Sequence, residues 1–360
     1  MFRKWLKETH WPLVFAVTGL ALVGTIFIYS AAYHDSGNYE TKQLFWVTAG
    51  FIVLFAVPFL GYRTFLSISY LFYVGSILLL LWVLVGGEYR LGAQRWVHLG
   101  PILIQPSEFA KLATVLALAN FLGSHHRWEK PNRTLFAGLA FALVPLVLIA
   151  KQPDLGSAMM FIPLAAVLLF LWGIRRRFLI GVAVAAALAA PLFWELLKGY
   201  QKKRILVFLN PNLDPLGSGY TALQSKIAVG SGGLFGKGYL AGTQSQLQFV
   251  PEHHTDFIFA VIGEEWGFAG TVILLVLYGL LFRAMFQVIE HTTDIKAKLL
   301  ASGVLAVLFA QVFINIGMSF GLMPITGITL PLVSYGGSSF VATALALGLI
   351  LSIHKERSIF

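Results

Sequence analysis

Apolar residues in this chain fall in long unbroken runs. They follow neither the stripe of a water-facing helix nor the alternation of a half-buried strand. Ten runs stand out, over 12–32, 43–60, 65–86, 108–123, 134–150, 157–173, 178–197, 257–287, 299–318 and 338–354. A helix needs about 20 apolar residues to cross a hydrocarbon core, so each run is predicted to be a transmembrane helix. The runs at 43–60 and 108–123 are short and need tilt or local thinning of the bilayer. The pattern therefore predicts an all-α, polytopic membrane protein of about ten transmembrane helices. It is read as one transmembrane domain over 1–360 with a long extracytoplasmic loop at 198–256. The first run is longer than the apolar core of a signal peptide, so it is expected to be retained.

The connections fix the orientation. With the N-terminus inside, the cytoplasmic segments collect Arg3, Lys4, Lys7, Arg63, Arg127, Lys130, Arg133, Arg175, Arg176, Arg177, Arg283, Lys296, Lys298, Lys355 and Arg357. The short outer segments hold Lys42, Arg90, Arg95, Lys111 and Lys151. This Lys/Arg asymmetry predicts both termini in the cytoplasm, and the long basic 198–256 segment does not count against it. Three outer segments are polar and Gly/Pro-punctuated: 87–107, 198–256 and 319–337. A connector as long as 198–256 is usually functional.

Composition narrows the class. Hydrophobic residues make up 58% of the 360 and charged residues 12%; a soluble domain carries roughly 25% charged residues. The net charge of +10 is explained by topology, so nucleic acid is not an expected partner. The absence of cysteine excludes disulfides and thiol nucleophiles.

Ionisable residues at the membrane boundary are the candidates for chemistry, because placing them there is expensive. Gln105-Pro106-Ser107-Glu108 opens the fourth span. Ser107 is a candidate N-cap, Glu108 sits in the first turn, and Lys111 lies three residues on along the same face. The alternative is a cap and a local ion pair that merely position the helix. Lys151 and Asp154 form a second charged pair in a tight turn, and Pro153-Asp154 is also ordinary turn chemistry. Asp256 is the last carboxylate before the eighth span. It reads either as an N-cap or as a partly desolvated general base. Desolvation raises its pKa and the helix N-terminus lowers it, and the sequence leaves that balance open. Glu264 and Glu265, about two turns deeper, either line a polar cavity or bond to neighbouring helices. His253-His254 lacks further ligands at metal spacing. The run from Gly230 to Gly238 fails as a Walker A motif, because Ser231 and Gly238 stand at required positions. What survives is a backbone cradle with Lys226 and Lys237 nearby, against the plainer reading of a flexible glycine loop.

These motifs together resemble the SEDS (shape, elongation, division and sporulation) family, in particular its rod-shape branch. The carrying residues are Gly92-Ala93-Gln94-Arg95-Trp96, Gln105-Pro106-Ser107-Glu108-Phe109-Ala110-Lys111 and Gln152-Pro153-Asp154-Leu155-Gly156. They continue with Gln224 to Gly233, Gly242-Thr243-Gln244-Ser245-Gln246-Leu247 and Pro251-Glu252-His253-His254-Thr255-Asp256-Phe257. A C-terminal signature runs from Asn315 through Gly321, Pro324, Gly327 and Pro331 to Ser334-Tyr335-Gly336-Gly337-Ser338-Ser339. The resemblance implies a peptidoglycan glycosyltransferase that polymerises lipid II outside the cytoplasmic membrane during cell elongation. It implies Asp256 as the essential catalytic residue and Glu108, Lys111 and Asp154 as further site residues. Lys111, Lys226 and Lys237 become candidate ligands of the substrate's pyrophosphate, with room for a divalent cation (Mg or Mn) bridging to a carboxylate. The implied partners are lipid II, a class B penicillin-binding protein transpeptidase and other elongation-complex proteins. The alternative is a flippase or transporter of lipid-linked precursors, since many helices and intramembrane charges suit either. Against transport, the polar segments crowd one face and no pair of broken helices occupies matching halves.

Overall fold

The computed structural model describes residues 9–33, 37–90, 93–100, 102–125, 131–197 and 199–357. Arg3, Lys4, Lys7, Gly92, Arg127, Lys130 and Lys198 lie outside the described residues. The chain is helical almost throughout. In order come α1 (Trp11–Ala31), α2 (Tyr39–Leu60), α3 (Tyr62–Ser67) and α4 (Ser69–Gly86). Strands β1 (Glu88–Arg90), β2 (Ala93–Leu99) and β3 (Ile102–Ile104) follow. Then come α5 (Pro106–Ser124), α6 (Pro131–Lys151), α7 (Leu155–Met159), α8 (Phe161–Trp172) and α9 (Arg176–Leu196). The outer segment holds α10 (Gly199–Leu209), α11 (Ser218–Ser231) and α12 (Thr243–Gln246). The chain ends with α13 (Ile258–Glu265), α14 (Gly267–Glu290), α15 (Ile295–Ser319) and α16 (Gly337–Arg357).

Among the described residues, eight stretches are long and apolar enough to cross a membrane: α1, α2, α4, most of α6, α7 with α8, α14, α15 and most of α16. The other two predicted spans are also helices, α5 of 19 residues and α9 of 21. Polar residues dilute their apolar character: Glu108 and Lys111 in α5, Arg176, Arg177 and Glu195 in α9. In α5 the reason is its position. It packs against α4, α6, α8, α15 and α16, and its residues from Ala110 to Ala119 are all buried. A helix enclosed on every side needs no lipid-facing stripe. Its N-cap is Gln105, with Pro106 at the first helical position; Ser107, the expected cap, is one place inside.

The polar segments are more ordered than the sequence suggested. Residues 88–104 form an antiparallel three-stranded sheet in the order β1-β2-β3, with His98 opposite Leu103. The 198–256 segment is a set of short helices rather than an open loop, with α11 packed on α13. The predicted continuous span over 257–287 is broken at Trp266 and Gly267. The break is filled by the glycine run. Lys237 N and Gly238 N donate to Glu264 O and Glu265 O, both at 3.0 Å, and Phe268 N and Ala269 N donate to Gly233 O (2.9 Å) and Leu234 O (3.0 Å). Lys237 N and Gly238 N are thus committed to the helix break and are not open to an anion. Gly267 has φ +64°, and a Cβ there would collide with the backbone N of Gly236.

Gly267→Ala should therefore destabilise the protein by more than the ~1 kcal/mol of an ordinary αL penalty, lowering the melting temperature of the detergent-solubilised protein. A melting temperature equal to wild type would show that the break is not pinned by the glycine run.

Candidate functional site

The segment before α13 is held by backbone and side-chain bonds from three directions. Thr255 N and Asp256 N donate to Glu252 O at 3.2 and 3.0 Å, closing a tight turn. Asn315 of α15, fully buried, donates through Nδ2 to Asp256 O (2.9 Å) and to Ile328 O (2.7 Å). Tyr335 N donates to His254 O at 3.0 Å, and Ser334 Oγ donates to Thr255 O. The 319–337 segment is thereby laced to the 250–257 turn. His253 is buried with both ring nitrogens against carbonyl oxygens, Val250 at 2.9 Å and Ala31 at 2.8 Å. It clamps the turn to the end of α1 and is not placed as a metal ligand.

Asp256 is not the helix cap. Phe257 occupies that position with no side-chain cap bond, and the Asp256 carboxyl lies against Gly327 instead. Its Oδ2 lies 3.4 Å from where a Cβ on Gly327 would stand, and Arg95 Nη1 lies 3.7 Å from the same point. Gly327, at φ +72°, leaves open the space that both side chains border. Arg95, on β2, is 3.7 Å from Asp154 Oδ2. Asp154 is buried and caps α7 by accepting from Ser157 N at 3.1 Å. Its charge partner is therefore Arg95, while the expected partner Lys151 is exposed. The Asp256 side chain is half-buried yet densely surrounded by protein, and this desolvation pushes its carboxyl up to about 7. Glu252 and Asp154 add to the rise; Arg95 and Arg204 oppose it. Burial wins the balance that the sequence left open.

The other expected site residues are dispersed. Glu108 and Lys111 do form the predicted ion pair, at 2.7 Å and almost fully buried. It opens on a crevice of about 330 Å³ between α5, α15 and α16, lined also by Val304, Gln311 and Thr343. Neither residue is among the groups that act on the Asp256 charge. Lys237 is bound to Glu264 (2.7 Å) and Thr243 (2.8 Å). Glu264 also accepts from Gln244 N (2.8 Å) and Ser245 N (3.1 Å), so this carboxylate anchors the glycine run and α12 rather than lining a cavity. Glu265 accepts from Ser30 of α1. Lys226 stands in a separate cleft with Arg204. Arg95, Glu252, Arg204 and Asn315 were not assigned roles from sequence. The one available signal was Arg95, a cation in a sparsely charged outer segment.

The charge lying between Asp154 and Asp256 is a guanidinium, and no group of three or more His, Asp or Glu placed to hold a metal ion occurs among the described residues. What the arrangement provides is a carboxylate able to exchange a proton near neutral pH, within reach of the positive charge of Arg95 and Arg204.

Fold and site together define a multi-pass helical membrane protein with a densely surrounded carboxylate, Asp256, set among Glu252, Asp154 and two arginines. The FtsW/RodA/SpoVE cell cycle protein pattern matches residues 11–359, and the chain belongs to that family. It is 40% identical over 362 residues to the peptidoglycan glycosyltransferase MrdB of Escherichia coli K12, covering 98% of this chain and 96% of that protein. It is 34% identical to the peptidoglycan glycosyltransferase RodA of Treponema pallidum, covering 98% and 99%. Among solved structures, it matches a chain of one described as structural coordination of polymerization and crosslinking by a peptidoglycan synthase complex. That match has TM-score 0.83 and 38% identity, over 96% of this chain and 98% of that one. Thermus thermophilus RodA matches with TM-score 0.72 and 34% identity, over 96% and 97%.

The raised Asp256 pKa has a consequence for stability. A carboxyl that binds its proton more tightly folded than unfolded supports the fold at low pH, and that support is lost as pH rises through the folded value, about 7. Asp256→Asn removes this loss. Its melting temperature relative to wild type should rise between pH 5 and pH 8; an offset independent of pH would mean that the carboxyl is not desolvated.

Proposed function

We propose that the chain polymerises lipid II into glycan strands at the outer face of the cytoplasmic membrane during elongation, with both termini in the cytoplasm. The observation that carries this is Asp256, whose carboxyl is pushed up to about 7 at the end of the segment assigned to the outside by the Lys/Arg asymmetry. Family membership and relatives named peptidoglycan glycosyltransferase support it.

The reaction joins two lipid-linked sugars. The C4 hydroxyl of the acceptor GlcNAc attacks the anomeric carbon of the donor MurNAc. The new oxygen–carbon bond forms as the carbon–phosphate oxygen bond breaks, and the electron pair departs on the lipid diphosphate. The hydroxyl proton goes to Asp256. A base is most effective when its pKa lies close to the working pH, and Asp256 meets that condition. Arg95 does not accept the proton. It keeps the Asp256 pKa from rising further and is itself oriented by Asp154. A class B penicillin-binding protein fits as the partner, because the similar chain in the synthase complex belongs to an assembly that couples polymerization to crosslinking.

A positioned base contributes roughly 10² to 10⁴ in rate, so Asp256→Asn should lose almost all glycan-strand formation from lipid II while the variant remains folded at the assay temperature. Wild-type kcat/KM should rise with pH through about 7. Arg95→Gln should move that rise to higher pH, because it removes a charge that favours the carboxylate. Asp256→Asn polymerising at near-wild-type rate would end the base assignment.

A further inference from the structure

A second cleft, of about 370 Å³, lies between α10, α11 and the 321–325 segment. Val207, Phe208, Met323 and Ile325 make its walls largely apolar, and two cations, Arg204 and Lys226, face it. The disposition of charge along α10 is uneven. Lys202 pairs with Glu195 at 3.5 Å and Lys203 with Asp214 at 3.0 Å. The third cation in the row, Arg204, makes no direct ion pair among the described residues, and neither does Lys226; the acid whose charge Arg204 acts on is Asp256, which does not line this cleft. The Lys226 stem lies across Gly321, where a Cβ would collide with Cε. Two like charges turned into one cleft without an acid repel each other, and an anion relieves that cost.

The cleft is electrically joined to the reaction centre. Arg204 is one of two guanidinium groups that stabilise the Asp256 carboxylate. The cleft wall also runs on from Ile325 to Gly327, which abuts both Asp256 and Arg95. The remaining candidate cations are committed elsewhere: Lys111 to Glu108 and Lys237 to Glu264. We propose that the Arg204–Lys226 cleft holds the diphosphate of a prenyl-diphosphate glycosyl donor, with the first prenyl units against its apolar wall. This deepens, and rests on, the polymerase reading. When the carbon–oxygen bond breaks, the diphosphate takes the electron pair and gains one negative charge. Two fixed cations already in place stabilise that charge without reorganisation.

The test is binding of farnesyl diphosphate to the full-length, detergent-solubilised protein, measured by calorimetry, with farnesyl monophosphate and inorganic pyrophosphate as the other probes. Farnesyl diphosphate should bind more tightly than either. Arg204→Gln and Lys226→Gln should each weaken it roughly tenfold, the scale of one charged hydrogen bond. Lys203→Gln should leave it unchanged, and Arg204→Lys should retain more affinity than Arg204→Gln. Melting temperatures for each variant separate lost binding from lost fold. Unchanged affinity in the folded double variant would overturn the proposal. Inorganic pyrophosphate binding as tightly as farnesyl diphosphate would overturn the assignment to a prenyl-linked donor. Binding needs no turnover, so a polymerase reading that failed on Asp256→Asn would leave these affinities as they are.

Discussion

A carboxylate cannot be crowded by protein at no cost, and the residues around Asp256 are arranged around that constraint. Burial and the acids Glu252 and Asp154 favour the neutral form, while Arg95 and Arg204 favour the anion. The sum leaves the proton exchangeable near neutral pH. Neither extreme would serve: a fully compensated aspartate is too weak a base, and an uncompensated one stays protonated. The compensation depends on placement. Arg95 comes from a strand far earlier in the chain, and its Nη1 lies 3.7 Å from Asp154 Oδ2 on the side of Gly327 that Asp256 also borders. Asn315, Ser334 and Tyr335 fix the backbone that carries the acid.

The membrane bundle supplies the rigid frame. The α5 helix is enclosed by its neighbours and carries the buried Glu108–Lys111 pair within it. Such a pair is weak support for stability, since desolvation offsets much of its attraction, but removing one member strands the other. The pair therefore fixes what α5 can tolerate more than it adds to its stability. On the outer side, Glu264 and Glu265 have a similar part. One gathers Lys237, Thr243, Gln244 and Ser245, and the other takes the hydroxyl of Ser30. They tie the long outer segment to the bundle.

The spans were legible because lipid imposes a length and an apolarity that a linear pattern records directly. The Glu108–Lys111 pair was legible because three residues along a helix is a local relation. What sequence could not supply was pairing across the chain. Lys151 stands next to Asp154, yet the charge that reaches Asp154 is Arg95. Lys226 and Lys237 looked equivalent beside one glycine run, yet Glu264 takes Lys237 and leaves Lys226 facing a cleft. The glycine run itself looked like an anion loop. Lys237 N and Gly238 N are committed to a helix break that no periodicity signals, because both halves of the broken span are equally apolar. Asp256 was found by position and resemblance, but its charge balance depends on groups from four separate segments.

The central claim is that the Asp256 carboxyl is held as a base of near-neutral pKa. Infrared difference spectroscopy of the protonated carboxyl stretch, with Asp256→Asn to assign the band, measures that directly in the solubilised protein. The account predicts a titration midpoint at about 7, moved upward by Arg95→Gln. A midpoint near the ordinary aspartate value of about 4 would contradict it.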